Sequence, residues 1–227
     1  MTVYTEGAGP AIVVIQGGPG LSSRSVAPIT ELLQEDFRAI RFDHTGWTVQ
    51  SVLDQLEAVR AEAGEERWFV LGHSWGAALA ALYAQAYPEQ VLGVILAHPL
   101  EISSAFCDLT IDALCGGDDP FALDHDADVA EMLWEDLEAT CPDANGEGYD
   151  LAPVARQITA PSLVLLGEHD AIDHGSGRLW AELANAQLVS LSQSGHWSFL
   201  ENPAEFRLVV TEFLLARTAC RVMAAIG

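Results

Sequence analysis

The chain has 227 residues and no lysine at all; its ten basic residues are all arginine and face 33 Asp and Glu, for a formal net charge of −23. A field of that sign repels phosphate backbones and anionic headgroups, so neither nucleic acid nor a membrane surface is an expected partner. No apolar run reaches the ~20 residues of a bilayer span. Residues 1–9 lack the basic start and apolar stretch of an export signal, so the expected location is the cytoplasm. Cys107, Cys115, Cys141 and Cys220 include no CxxC pair, which argues against a zinc ribbon or a thioredoxin-type site and leaves four reduced thiols as the expectation. The absence of lysine has two general explanations, adaptation to high salt and a genome that encodes arginine in its place.

What is present is apolar and regular. Half of the residues are hydrophobic, enough for one sizeable core. Ala11–Ile15 is a continuous β-branched run that ends in Gly17-Gly18-Pro19-Gly20 and reads as a strand buried on both faces. Further strands are expected at 38–42, 68–71, 91–97, 161–166 and 187–191. Helical spacing joins Val26, Ile29, Leu32 and Leu33, then Val49, Val52, Leu53, Leu56 and Val59, then 77–87 and 204–215. Strands alternating with helices specify an α/β fold with a mostly parallel sheet and helices on both faces.

One segment breaks that rhythm. Residues 99–155 hold 15 of the 33 acids, no arginine and three of the four cysteines. They read as a small helical lid inserted between core segments 1–98 and 156–227. The lid's acids either keep it soluble or form a field that draws cationic substrates to the mouth of a pocket.

The most informative pentapeptide is Gly72-His73-Ser74-Trp75-Gly76, placed directly after a buried strand and before a helix. A nucleophilic Ser at the centre of G-x-S-x-G needs a strained strand-to-helix turn, and small flanking residues let the backbones approach. Serine alone is a weak nucleophile and needs a base held by an acid. Asp170, in the loop after the 161–166 strand, is the expected acid, with Glu168 and Asp173 nearby as competitors. His196, between the last strand and the last helix, is the expected base. Oxyanion donors are expected from the backbone of Trp75 and from the Gln16–Gly20 turn, where Gly18 is preferred to Gly17 because it lies deeper. Two acidic groups with histidines offer weaker chemistry: His169, Asp170, Asp173 and His174 could suggest a metal, but that loop already has a triad role, and His125, Asp126 and Asp128 fit a solvated face. Trp180 is expected in the core, whereas Trp197 adjoins His196 and is expected to border the site.

These motifs resemble the α/β-hydrolase superfamily over nearly the whole chain. Within it, Gln16-Gly17-Gly18-Pro19-Gly20 is similar to the HGGPG turn of the proline iminopeptidase branch, and Arg67–Gly76 to its RW-x-V-x-G-G-S-W-G stretch. Ala81–Val91 continues the likeness. The chain departs from that branch in carrying Gln16 for the turn's His, Asp43-His44-Thr45-Gly46 for a D-Q-R-G segment, and a far shorter lid. The branch's lid supplies acids that hold the substrate's α-ammonium. The resemblance makes Glu135, beside Trp134, the candidate for that contact, and Trp134, like Trp197, is a candidate to line the substrate pocket. The implied activity is cofactor-free serine hydrolysis, with Ser74, His196 and Asp170 acting on a small amide or ester that carries an amine. An esterase, lactonase or thioesterase for a specialised metabolite is the alternative, and a slow-turnover ligand-binding protein is a third reading.

Overall fold

The structure is a computed structural model that describes residues 1–46, 48–104, 126–172 and 175–226, with side chains described as far as Thr218. Cys107, Cys115, His125, Asp173, His174 and the side chain of Cys220 therefore lie outside the described residues. Cys141 is a half-buried free thiol.

The sheet is built from β1 (Val3–Glu6), β2 (Ala11–Ile15), β3 (Arg38–Phe42), β4 (Trp68–His73), β5 (Val91–Ala97), β6 (Ser162–Gly167) and β7 (Gln187–Leu191). Its order is β1-β3-β2-β4-β5-β6-β7. Only β1 runs antiparallel to its neighbour. The continuous apolar runs have a direct cause in the pleat. Successive side chains point to opposite faces, and each face has its own core. Val13, Ile15, Val70, Val94, Leu96 and Val164 enter one cluster. Ile12, Val14, Phe69, Leu71, Ile95 and Leu163 enter the other.

Helices cover both faces. α1 (Ala27–Leu33) and α8 (Pro203–Ile226) close one side, with Ile29, Leu33, Phe206, Val210, Phe213 and Leu214 inward. α2 (Val49–Glu62), α3 (Trp75–Ala86) and α6 (Ser176–Leu183) close the other. Among the described residues, two short helices are α5 (Ala152–Ala155) and α7 (Ser198–Glu201). α2 starts in a capping box, in which Thr48 and Ser51 satisfy each other's backbone N–H groups. Trp180 is fully buried in the core, as expected.

The described part of the 99–155 segment holds α4 (Ala127–Thr140), capped by the Asp126 carboxylate on Val129 N. Two isolated bridges, Ser103 with Asp150 and Pro142 with Tyr149, return the segment to the core. Two features differ from expectation. β1 forms although VYTE is polar and only partly buried, because an edge strand needs one partner and takes it from β3. The last helix runs to Ile226, through the segment that sequence spacing left outside it. No helix among the described residues is long and apolar enough to cross a membrane.

The chain order around β2 decides where the site falls. From β2 the chain steps outward to β3, then returns past β2 to β4. Open α/β sheets bind ligands at such a reversal, at the carboxyl ends of the strands. Here the reversal brings the Gln16–Gly20 turn beside Ser74.

Candidate active site

Ser74 joins β4 to α3 with φ 55° and ψ −122°, a left-handed conformation that L side chains rarely adopt. The two glycines of the pentapeptide permit it. A Cβ on Gly72 would lie 2.0 Å from Gly76 O, and one on Gly76 would lie 2.4 Å from Gln16 O. The elbow is held by its own backbone: Ser74 N donates to Ala97 O at 2.9 Å, while Ala77 N and Leu100 N donate to Ser74 O at 2.9 and 3.2 Å. The strained turn is thus over-determined by the sheet around it, the condition under which such strain persists.

Asp170 and His196 come together at the ends of β6 and β7. His196 Nδ1 lies 3.1 Å from Asp170 Oδ2 and 3.3 Å from Oδ1. The two loops are packed on each other, since His169 N donates to Ser194 O at 2.9 Å and a Cβ on Gly167 would lie 2.2 Å from Gly195 O. Glu201 fixes the His196 loop by accepting from Gly195 N at 2.6 Å. Glu168 instead accepts from Gln193 N on the exposed side, so it does not face the imidazole. The Ser74 side is tied to His196 through its neighbour: His73 Nε2 donates to the His196 carbonyl at 2.9 Å. No hydrogen bond joins Ser74 Oγ to the His196 ring among the described residues. Catalytic hydrogen bonds of this kind often tighten only when substrate binds.

A second histidine, which sequence reasoning missed, shares the acid. His98 Nδ1 lies 2.9 Å from Asp170 Oδ2, and its Nε2 lies 2.6 Å from Ser198 Oγ. Its only sequence signal was a polar residue at a strand's carboxyl end, where this fold keeps its sites. Burial alone would raise the Asp170 carboxyl. Hydrogen bonds and charge interactions with His196 and His98 outweigh that and hold it well below the usual carboxylate range. Burial pushes His73 well down, reinforced by His196 and His98. It also lowers His98, against the opposing pull of Asp170. His98, Asp170 and His196 offer ligand atoms within 4.8 Å of one another and could hold a metal ion. As ligands, the Asp170 carboxylate and both Nδ1 atoms would give up the hydrogen bonds they make here.

Buried neutral histidines make stability depend on pH. Unfolded imidazoles protonate near ~6.5. His73 and His98 resist protonation in the folded state, so the unfolded chain binds more protons and stability falls as pH drops below that value. Each contributes at most about 1.4 kcal/mol per pH unit. Asp170 adds to the loss only below about pH 4, where an unfolded carboxyl protonates while the folded one stays charged. The urea midpoint should therefore decline steadily from pH 7 to pH 5. A constant midpoint over that range would contradict neutral burial of both rings.

A cavity of about 280 Å³ opens beside the elbow, lined among others by Gln16, Gly17, Asp43, His44, Trp75 and Asp126. Its walls come from the carboxyl ends of β2, β3 and β4 and from one face of α4. Gly17 lines it, and a Cβ there would lie 3.0 Å from Ser74 Cβ. Gly18, with φ 114°, makes the sharp turn behind, where a Cβ would lie 2.8 Å from the amide nitrogens of Gly20 and Leu21. Among the described residues, Gln16 Oε1 and Trp75 Nε1 are buried without a hydrogen-bond partner. Burial lowers His44 to about 4, so it is neutral at pH 7.

The three outer candidates fall elsewhere. Helical spacing turns Asp126, Val129 and Leu133 of the α4 segment to the cavity, which leaves Glu135 exposed on the other side. Trp134 packs on Tyr149 with ring centroids 5.6 Å apart. Trp197 packs on His73 with ring centroids 4.7 Å apart, beside the Asp170 and His196 loops rather than in the cavity wall. The acid of α4's segment that reaches the cavity is Asp126.

The family model described as the alpha/beta hydrolase fold matches residues 10–144. A proline iminopeptidase from Heyndrickxia coagulans is 22% identical, over 92% of this chain and 92% of that protein. A 2-hydroxy-6-oxo-6-phenylhexa-2,4-dienoate hydrolase from Comamonas testosteroni is 26% identical, over 94% of this chain and 91% of that protein. The crystal structure of the enol-lactonase from Burkholderia xenovorans LB400 superposes with a TM-score of 0.75 at 20% identity, covering 94% of this chain and 96% of the other.

Proposed function

The chain belongs to the α/β-hydrolase fold family, and on that premise we propose that it is a serine hydrolase whose triad is Ser74, His196 and Asp170. The observation that carries the proposal is the Ser74 elbow, a left-handed non-glycine residue wedged between two glycines that admit no side chain. Ser74 Oγ attacks the substrate carbonyl while His196 Nε2 takes its proton. Asp170 holds Nδ1–H, which fixes the productive tautomer and stabilises the imidazolium. The oxyanion is met by Trp75 N–H at the N-terminus of α3 and by an amide of the β2 turn. Gly18 remains the proposed donor there, and Gly17 joins it because it lines the cavity. The tetrahedral intermediate collapses as His196 protonates the leaving group, and water then releases the acyl group by the same path. The mechanism uses no cofactor. Residues 99–155 are read as a lid over a small-molecule site.

The cavity volume suits a small substrate. Asp126 and Asp43 on its wall favour an amine-bearing amide or ester, so the proposed substrate class is aminopeptidase-like, with Asp126 taking the ammonium role first given to Glu135. Asp126→Asn tests this while keeping the helix cap, since Asn caps as well as Asp. It should raise KM for an aminoacyl amide and leave a neutral ester analogue unchanged. For the wild type, kcat/KM on the cationic substrate should fall with salt, because screening shortens the field to ~10 Å at 0.1 M. Better turnover of the neutral analogue would transfer the assignment to an esterase, lactonase or thioesterase, the reading favoured by the short lid. An acylation burst without turnover on every substrate would point to a ligand-binding protein.

A further inference from the structure

The Asp170 carboxylate receives three N–H groups. Oδ1 accepts from Ile172 N at 3.0 Å and sits 3.3 Å from His196 Nδ1. Oδ2 lies 3.1 Å from His196 Nδ1 and 2.9 Å from His98 Nδ1. His98 is 1% exposed and held at φ 49°, so its ring occupies a fixed place behind the acid. A neutral imidazole carries one N–H, and an ionised carboxylate only accepts. The proton of His98 is therefore on Nδ1. Its Nε2 is then a lone pair, and the Ser198 hydroxyl 2.6 Å away must donate to it. Proton order is fixed along the line Ser198 to His98 to Asp170.

We propose that His98, with Ser198 behind it, is a positioning residue that locks the Asp170 carboxylate for His196. The proposal rests on the triad reading above. His196 Nδ1 is shared between both carboxylate oxygens at distances differing by little, so His196 alone does not define the rotation of the carboxyl group. Ile172 N pins one oxygen and His98 pins the other. Asp170 is also too buried for water to replace a lost donor, and a buried charge stripped of a partner is costly. The charged and titratable groups around it are few. His98 and His196 face it, His73 meets the two rings edge-on and tilted with centroids 5.9 and 5.0 Å away, and Glu201 acts on His98 through space.

The test compares His98→Phe, His98→Asn and Ser198→Ala in the full chain, using the rate of Ser74 labelling by a fluorophosphonate and the pH profile of kcat/KM on an activated ester. His98→Phe keeps an aromatic ring and loses the donor. Its labelling rate and kcat should fall about 10–100-fold, the scale on which misplacing a catalytic group acts. The acid limb of its kcat/KM profile should move to higher pH, because a carboxylate relieved of one donor holds the His196 N–H more strongly. Asn suits a left-handed position, and its Nδ2–H falls near where Nδ1–H was. His98→Asn should therefore recover most of the loss. Ser198→Ala removes the hydroxyl that anchors the His98 ring at Nε2 and should shift rate and limb in the same direction, by less. Wild-type rates with an unmoved limb in His98→Phe would overturn the proposal, as would equal loss in His98→Asn and His98→Phe. Should His98→Phe fail to fold, Ser198→Ala decides by the same two readouts. A wild type that takes no label brings down the triad reading itself. A labelled Ser74 with indifferent His98 variants brings down only the positioning role.

Discussion

Ser74→Ala should lower kcat by about 10⁶ on any substrate the wild type turns over, the loss typical when a triad nucleophile is removed. The size of the effect follows from the elbow. Ser74 Oγ is presented by a turn that the two glycines and three backbone hydrogen bonds hold in place, so no neighbouring hydroxyl can take over its position. Alanine keeps the Cβ, and among the described residues the hydroxyl holds no other side chain. The variant should therefore fold with a thermal midpoint equal to or above the wild type's. Residual rate above the uncatalysed reaction should remain, because the oxyanion donors are backbone groups that the substitution leaves in place. Activity within about tenfold of wild type would remove Ser74 from the mechanism.

Asp170→Asn should cost about 10⁴ in kcat, the loss seen when a triad acid becomes an amide and the histidine adopts the wrong tautomer. This site makes the outcome unusually well defined. The carboxylate accepts three N–H groups, from His196, His98 and Ile172. An amide has one oxygen and one NH₂. Turned one way, its NH₂ meets both imidazole N–H groups; turned the other way, it meets the Ile172 N–H. The first conflict is relieved by moving both imidazole protons to Nε2, and His196 Nε2 can then no longer accept from Ser74. The loss should appear in kcat with little change in KM, measured on an activated ester. A variant that retains wild-type kcat would place the acid elsewhere, with Glu168 the nearest carboxylate in the same loop.

How far the sequence anticipated this site depended on whether the signal was local. The elbow was legible because its requirements are confined to five residues and their flanks: a buried strand, Gly72, Ser74, Gly76 and a helix. Asp170 and His196 were legible because each stands at a strand's carboxyl end in the chain order this fold uses. The strands of the core could be read because apolar residues on both faces leave no alternation. β1 was missed for the opposite reason, since VYTE carries neither an apolar run nor clean alternation and is a strand only by virtue of β3. His98 was invisible because its partners, Asp170 and Ser198, are 72 and 100 residues away. Likeness of Trp134-Glu135 to a Trp-Glu pair points to Glu135 but carries no information on helix phase. Two residues past Leu133 on α4, Glu135 turns away from the cavity that Asp126, Val129 and Leu133 face.

The central claim is that Ser74 is the covalent nucleophile, and locating a covalent adduct tests it most directly. The protein is treated with a fluorophosphonate, digested, and the modified residue identified by peptide mass. A single phosphonyl group on Ser74, absent from Ser74→Ala, is the result this account requires. An adduct on any other residue, or undiminished modification of Ser74→Ala, would contradict it.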